Sequence, residues 1–235
     1  MKIFGFFNVS EPWTTMHWRS VIGDPVFIRS TFNTVFLAGG TALANMVIFT
    51  VIAYVVVRSR FVARMILDYV SWLPVTLPGI ILGVGLLSLF LGTAVLRPLY
   101  GTIFILVTAT VISTMTSGVQ ISKSNLVQLG NDLEEAARVS GGSWWQAFRR
   151  VILPLILPTL LLVGALGFIS AARNVSTVVL LATSYTKPLS MLQLDFMVEG
   201  RYEGAAVVGV IIVAITIGVA FVARVLGLRM GLHQS

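Results

Sequence analysis

The chain has 235 residues, of which 57% are hydrophobic and 11% are charged. A typical soluble domain has about 25% charged residues, so this chain has too little polar surface to face water on all sides. In a soluble protein the net charge of +7 would suit nucleic acid, but Lys and Arg beside apolar segments instead hold a membrane protein in orientation. The composition therefore predicts an integral protein of the lipid bilayer and excludes a soluble enzyme, and we expect no nucleic-acid partner.

Five apolar segments are long enough to cross a hydrocarbon core of about 30 Å as helices. The expected spans are approximately Thr31–Val57, Tyr69–Leu91, Leu99–Ser117, Val151–Ala172 and Gly204–Arg224. The predicted fold class is all-α, a polytopic transmembrane helical bundle of about five spans. The second span also contains Pro74, Pro78, Gly79 and Gly83. Pro removes a helical hydrogen bond, and the two glycines allow a neighbouring backbone to approach.

Small polar residues recur in the third span and at the end of the fourth. Such residues let helices pack tightly and can line a water-filled solute path. The candidate path residues are Ser113, Thr114, Ser117, Ser170, Arg173 and Asn174. A second interpretation stays open, in which each hydroxyl only bonds a carbonyl one turn back in its own helix.

The longest polar interruption between closely following spans lies between the third and the fourth. Asn131 and Glu134 have capping-box spacing and are expected to start a short helix. Gly141 ends it, because glycine tolerates the left-handed conformation after a helix. Ser143 and Gln146 repeat the capping box and start a second short helix that runs into the fourth span. From the residues alone, this hairpin could also be a loop that lies on lipid headgroups.

The hairpin resembles a known motif. Glu135-Ala136-Ala137, then Gly141 after three residues and Val151-Ile152-Leu153-Pro154 after nine more, is similar to the EAA loop of ABC importer permeases. One position departs from the usual pattern, since Val151 replaces Ile. The resemblance implies the methionine- and maltose-type permease fold, with a cytoplasmic coupling-helix hairpin over 123–154 that docks on an ATPase subunit. The implied coupling residues are Glu134, Glu135, Ala136, Ala137, Gly141, Trp144, Trp145 and Pro154.

A narrower resemblance points to the C-terminal half of ferric-iron permeases. Ser71-Trp72-Leu73-Pro74, followed by Leu77-Pro78-Gly79-Ile80, is similar to their second-span signature. It implies a small solute, first of all ferric iron, delivered by an extracytoplasmic solute-binding protein. The run Arg173-Asn174-Val175-Ser176 has Asn174 where that family usually has an acidic residue. Sulfate, thiamine, phosphonate and polyamine therefore stay open as solutes.

The sequence does not contain the glycine-rich Walker motif that binds ATP, nor a nucleophile beside a base. We expect a transport permease subunit rather than an enzyme, with no cofactor, no catalytic residue and no metal site in this chain, and with ATP hydrolysis on a partner. A secondary transporter or channel subunit is the main alternative, although no carboxylate lies at the centre of a span. A non-functional fragment of a fused permease is another.

The arginines Arg58, Arg60 and Arg64 fall in one short loop, and basic short loops face the cytoplasm. We therefore expect a multi-pass protein of the plasma (inner) membrane, with its N-terminus outside and its C-terminus in the cytoplasm. The expected organisation is an extracytoplasmic segment over 1–30, an ABC importer transmembrane domain over 31–228 and a cytoplasmic tail over 229–235.

Five helices can hardly enclose a gated path alone. We expect two ABC ATPase subunits and either a homodimer or a second permease half as partners. The N-terminal segment favours the second permease half, because an exported tail without a span is natural if other helices once preceded it. A truncated chain or a split gene is accordingly expected.

Overall fold

The structure is a computed structural model that describes residues 15–130, 141 and 143–231. All regular secondary structure in these ranges is helical, which confirms the all-α prediction. The helices are α1 (Met16–Ile22), α2 (Pro25–Arg58), α3 (Arg64–Thr76), α4 (Gly79–Gly92), α5 (Ile103–Gln128), α6 (Trp144–Ala147), α7 (Leu153–Arg173), α8 (Leu189–Val198) and α9 (Tyr202–Gly231). A π-helical turn, Phe148–Ile152, joins α6 to α7. We call the end of the bundle where α5 finishes and α6 begins the hairpin end.

Helices α2, α5, α9 and the continuous run 145–173 are long and apolar enough to cross a membrane. All four extend beyond the predicted spans. Helix α2 begins at Pro25, because Asp24 caps it by accepting a hydrogen bond from the main-chain N–H of Val26 at 2.8 Å. Helix α5 continues past the predicted end at Ser117 to Gln128, since its polar last turns lie outside the apolar segment but keep helical hydrogen bonding.

The predicted second span is not one straight helix. It divides into α3 and α4, whose axes differ in direction by 114°. The break lies at Leu77, which is extended (φ −96°, ψ 122°) because the following proline disfavours the helical conformation. A β-carbon at Gly83 would lie 2.8 Å from the carbonyl oxygen of Thr177, so the expected close approach of another backbone is confirmed.

The two ends of this broken pair lie at opposite ends of α5. Asp68, near the start of α3, forms an ion pair with Lys123 at the hairpin end. Phe90, near the end of α4, belongs to the same buried cluster as Ile105 at the other end. With a rise of 1.5 Å per residue, these two levels of α5 are about 27 Å apart. Counted as one span, the bent pair brings the candidate membrane crossings in the described part of the chain to five.

Helix α2 is the central element and packs against both α5 and α7. Glycines permit this packing: a β-carbon at Gly118 would lie 2.2 Å from the ring of Phe49, and one at Gly164 would lie 2.8 Å from the sulfur of Met46. The phenyl ring of Phe49 is fully buried. Glycine in facing helices thus brings α2 close enough to both neighbours for short polar side chains to meet.

The segment between α7 and α8 folds into the end of the bundle opposite to the hairpin end. Val178 and Leu181 are fully buried in the main apolar cluster. Asn33 of α2 donates hydrogen bonds to the main-chain carbonyls of Tyr185 and Lys187 at 2.8 and 3.0 Å. This irregular segment is therefore part of the core.

Candidate solute path and coupling hairpin

A cavity of about 320 Å³ lies between α2, α5 and α7. Val163 and Leu166 contribute to its apolar wall. Its polar lining consists of Asn45, Ser113, Thr114, Ser117 and Ser170. None of its lining residues carries a charge. The cavity is thus a neutral, hydroxyl-rich pocket inside an otherwise apolar bundle.

The structure brings together Ser113, Thr114, Ser117 and Ser170 around this cavity, as a path through these helices requires. Ser113 and Thr114 fit both interpretations of the hydroxyls, as lining of a path and as donors to a carbonyl of their own helix. Ser113 and Thr114 donate to the main-chain carbonyl of Thr110, each at 2.9 Å, and they line the cavity as well. Ser117 and Ser170 are exposed, so the cavity opens on the surface of the bundle between α5 and α7.

The two other predicted path residues lie apart from the cavity lining. Arg173 is exposed at the end of α7. The carbonyl oxygen of the Asn174 side chain accepts from the main-chain N–H of Thr177 at 3.0 Å, and its amide nitrogen lies 3.5 Å from the hydroxyl of Ser113. Asn174 therefore shapes the turn after α7 and touches the cavity only through Ser113.

Sequence reasoning missed Asn45. This residue is 1% exposed, and its side-chain nitrogen donates to the hydroxyl of Thr114 at 3.0 Å. A β-carbon at Gly167 would lie 2.3 Å from that nitrogen, so the glycine makes room for the amide. The signal was available, because Thr34, Thr41 and Asn45 form a polar stripe with helical spacing inside an apolar segment.

The predicted coupling residues Glu134, Glu135, Ala136 and Ala137 lie outside the residues that the structure describes. The first capping box, which begins at Asn131, lies outside them as well. Gly141 has φ +85°, the left-handed conformation expected of the glycine corner. Pro154 is exposed in the first turn of α7.

The second capping box is confirmed. The main-chain N–H of Ser143 donates to Oε1 of Gln146 at 2.9 Å, and the main-chain N–H of Gln146 lies 3.3 Å from the hydroxyl of Ser143. These bonds fix the start of α6, the helical turn that contains Trp144 and Trp145. Trp145 is 57% exposed and stacks on Phe148, with 5.9 Å between the ring centroids.

Phe148 attaches the hairpin to the bundle. Its ring meets Tyr54 of α2 edge-to-face, with centroids 5.7 Å apart. It also packs against an apolar cluster at the hairpin end, whose buried members are Ala53, Leu126, Ile152, Ile156 and Leu160. Because the cluster joins α2, α5 and α7, a force on α6 reaches all three helices through packed side chains.

Polar contacts reinforce the same end. Arg58, the last residue of α2, donates to the main-chain carbonyl of Leu126 at 3.1 Å and to that of Gly130. The ion pair between Lys123 and Asp68 joins α5 to α3, with side chains 18% and 32% exposed. Arginine and lysine thus hold the ends of three helices together at the hairpin end.

The fold defines the class of a polytopic helical bundle whose long apolar helices can cross a membrane. Residues 46–231 match the family described as "Binding-protein-dependent transport system inner membrane component". The chain therefore belongs to this family of inner membrane components of transport systems.

The curated relatives that match the chain include permease proteins of ferric, sulfate and molybdate/tungstate transport systems. A ferric transport system permease protein of Haemophilus influenzae is 31% identical over 160 residues, and one of Actinobacillus pleuropneumoniae is 28% identical over 192 residues. These matches cover 67% and 81% of this chain but only 25% and 27% of those relatives, so the chain spans about a quarter of their length. The sulfate transport system permease protein of Escherichia coli is 27% identical over 227 residues, which is 92% of this chain and 81% of that protein.

Solved structures share the fold. A bacterial ABC transporter for import of the acidic polysaccharide alginate matches with a TM-score of 0.78 and 19% identity, over 95% of this chain and 86% of that one. The MetNI methionine ABC transporter matches with a TM-score of 0.69 and 18% identity, over 87% of this chain and 96% of that one. The expected methionine-type permease fold is thereby confirmed.

Proposed function

We propose that this permease subunit supplies half of a transmembrane path for a small inorganic solute, with ferric iron as the first candidate, and that a separate ATPase drives the transport. The observation that carries the proposal is the neutral cavity between α2, α5 and α7, where Asn45, Ser113, Thr114, Ser117 and Ser170 meet in the middle of an apolar bundle. Helices that contact only lipid gain nothing from exposed hydroxyls, whereas a wetted path needs them.

Iron is supported by the likeness of the second span to ferric-iron permeases and by the two ferric relatives. A tetrahedral oxyanion is the second candidate, because the Escherichia coli sulfate permease matches 92% of the chain. Uptake of radioactive iron, sulfate, thiamine, phosphonate and polyamine by cells that express the complete importer tests the solute. We expect iron uptake that stops when this chain is deleted. Uptake of an organic solute without iron would refute the iron proposal.

The partner contact is proposed for the hairpin over 123–154. Trp145, Arg149 and Arg150 are exposed at its described part, and Phe148 links that part to α2. An ATPase that grips the exposed face can therefore shift the bundle between inward- and outward-open forms. If the ATPase contacts this hairpin, Glu135→Lys and Gly141→Asp should uncouple transport from ATP hydrolysis.

Gly141 offers the sharper test because a matched control exists. Among the described residues, no atom lies within 4 Å of a β-carbon at this position, so we expect a substitution to act mainly through φ +85°. Asn tolerates the left-handed conformation better than most residues. We expect Gly141→Asn to keep more transport than Gly141→Val, with equal membrane insertion of both. If Gly141→Asp and Gly141→Val both transported at the wild-type rate, the proposed coupling role of the hairpin would be wrong.

The same proposal predicts the orientation of the chain in the membrane and its partner subunits. Arg58, Lys123, Arg149 and Arg150 cluster at the hairpin end, which favours a cytoplasmic hairpin and C-terminus and an outside N-terminus. A second permease, either another copy or a different half, would cover the exposed hydroxyls of the cavity mouth, with two ATPases below and a solute-binding protein outside. A cysteine at Ser59 that reacts only from outside would contradict this orientation.

A further inference from the structure

A second cavity, of about 420 Å³, lies between α7 and α9. On α7 it is lined by one face of the helix between Pro158 and Ile169. Two of the lining side chains on this face, Leu162 and Leu166, are 50% and 44% exposed. The cavity is therefore an open groove on the outside of the bundle, and in a membrane it faces lipid.

The groove has the length of one membrane leaflet. Small lining side chains such as Ala165 and Ala220 leave its space open. Along α7, from Pro158 to Ile169, it extends for about 16 Å at a rise of 1.5 Å per residue. This length is close to half of a hydrocarbon core of about 30 Å. An acyl chain of one leaflet therefore matches the groove in length and in apolar character.

Arg224 lies toward the hairpin end of the groove. Helix α9 begins at the opposite end of the bundle, since Ala205 is buried in one cluster with Phe27, near the start of α2. From Tyr202 to Arg224 the helix rises about 33 Å, slightly more than the thickness of a hydrocarbon core. Residues 204–223 carry no charge. The guanidinium of Arg224 is therefore at the membrane boundary, at the level of lipid headgroups.

The charge of Arg224 has no anionic partner in the described part of the chain. Arg224 is the only charged residue among the described residues that line the groove, and its side chain is exposed. None of the ion pairs between described residues includes it. At the hairpin end, Asp68 is the only carboxylate that the structure describes, and it already pairs with Lys123. The described surface of a second copy would thus bring no free anion to this guanidinium.

We propose that the groove binds an anionic phospholipid, with one acyl chain along α7 and the phosphate on the guanidinium of Arg224. The planar guanidinium can donate two parallel hydrogen bonds to a phosphate. An anionic lipid is favoured over a zwitterionic one, because the ammonium group of the latter is repelled by the arginine. A free phosphate ion would contact only the arginine and leave the apolar groove empty. The site depends neither on the identity of the solute nor on the ATPase contact.

The test uses the full chain in nanodiscs of equal amounts of phosphatidylglycerol and phosphatidylcholine, with bromine on the acyl chains of one lipid or of the other. The chain has no cysteine, so a bimane fluorophore on Leu162→Cys reports from the groove alone. Val222→Cys is the matched control, because Val222 is 55% exposed, lies outside the groove lining and is on another face of α9 at the depth of Arg224. Bromine quenches the fluorophore on contact, so the ratio of the two quenching efficiencies gives the local preference for the anionic lipid.

We expect brominated phosphatidylglycerol to quench position 162 more than brominated phosphatidylcholine does, and both lipids to quench position 222 equally. Arg224→Gln should lower the preference at position 162 about fivefold, the contribution of one basic side chain near an anionic membrane surface. Arg224→Lys should leave an intermediate preference, because lysine keeps the charge but not the planar fork.

An equal preference at positions 162 and 222 would overturn the inference, because anionic lipid would then only gather around a basic end of the bundle. A preference that Arg224→Gln leaves unchanged would overturn it as well. Absence of quenching at position 162 by either lipid would show that a second copy covers the groove. Loss of the preference on addition of inorganic phosphate, with chloride at the same ionic strength as the control, would assign Arg224 to free phosphate instead of lipid.

Discussion

Helix α2 touches α5 in two regions with opposite character. At mid-length the contact is polar, with the hydroxyls of Thr41 and Thr110 at 2.6 Å and Asn45 bonded to Thr114 at 3.0 Å. At the hairpin end the contact is an apolar cluster that includes Ala53 and Leu126. The first region leaves an open cavity, whereas the second is a cluster of buried apolar side chains.

The difference assigns separate tasks to two parts of one helix. Packed apolar cores resist deformation and pass on displacement, whereas a half-filled polar pocket can exchange water for solute. Since α2 runs without a break from Pro25 to Arg58, a movement of the hairpin end is carried to the cavity by a single rigid element. Four predictions test this division.

The largest expected effect is at Phe148, the aromatic link between hairpin and α2. Phe148→Ala removes its contacts with Tyr54, Trp145 and the apolar cluster. Because the ring is half-buried, we expect a loss of about 2–3 kcal/mol in unfolding free energy and loss of ATP-driven transport. Phe148→Leu keeps most of the apolar volume and should lose about half as much. Thermal unfolding in detergent and transport assays measure both.

The second prediction concerns packing at mid-length. A β-carbon at Gly118 meets the fully buried ring of Phe49 at 2.2 Å, whereas one at Gly85 meets no atom within 4 Å in the part of the chain that the structure describes. Gly118→Ala should therefore cost about 1–3 kcal/mol through overpacking. Gly85→Ala should be neutral or slightly stabilising, since alanine favours the helix. Equal melting temperatures for the two variants would show that α2 and α5 are not packed this closely.

The ion pair at the hairpin end is expected to matter less. Asp68→Asn removes the partner of the partly buried Lys123. We expect a cost of about 1–2 kcal/mol, between the values for exposed and fully buried pairs. Exchanging the two charges in Asp68→Lys with Lys123→Asp should restore part of that stability. A double variant less stable than both single variants contradicts the proposed contact.

The smallest effect is predicted for the hydroxyl pair of Thr41 and Thr110. Thr41→Val leaves one hydroxyl without its cross-helix partner, which typically costs about 1 kcal/mol. The hydroxyl of Thr110 also donates to carbonyls of its own helix and therefore keeps a partner. We therefore expect Thr41→Val to lower the unfolding free energy by no more than this typical value. Removing both hydroxyls should add little beyond the first substitution. A double-mutant cycle on unfolding free energies measures the coupling.

Hydropathy predicted α2, α5, α7 and α9 well, because lipid demands long apolar segments whatever their tertiary contacts. It could not predict the 114° break, since Pro78 and Gly79 indicate a kink but not its angle, which depends on the packing of Gly83 against Thr177. The burial of Val178 and Leu181 between α7 and α8 also depends on contacts with distant helices.

The site was partly predictable for a related reason. Small polar residues inside apolar helices identified Ser113, Thr114, Ser117 and Ser170, because such residues have few uses in lipid. Hydropathy does not give helix rotation, so Arg173 was grouped with them although it lies outside the cavity lining. Asn45 carries the same signal but was overlooked within the first span.

The most direct measurement of the central claim is water access to the cavity. The chain has no cysteine, so single cysteines can be placed without background. Ser117→Cys lies at the cavity mouth, and Leu43→Cys is the control, an apolar position of α2 that is 67% exposed. In the complete importer, a membrane-impermeant thiol reagent should label position 117 and not position 43, and ATP should change the rate at 117. Equal rates at both positions, or a rate at 117 that ATP leaves unchanged, would contradict a solute path between α2, α5 and α7.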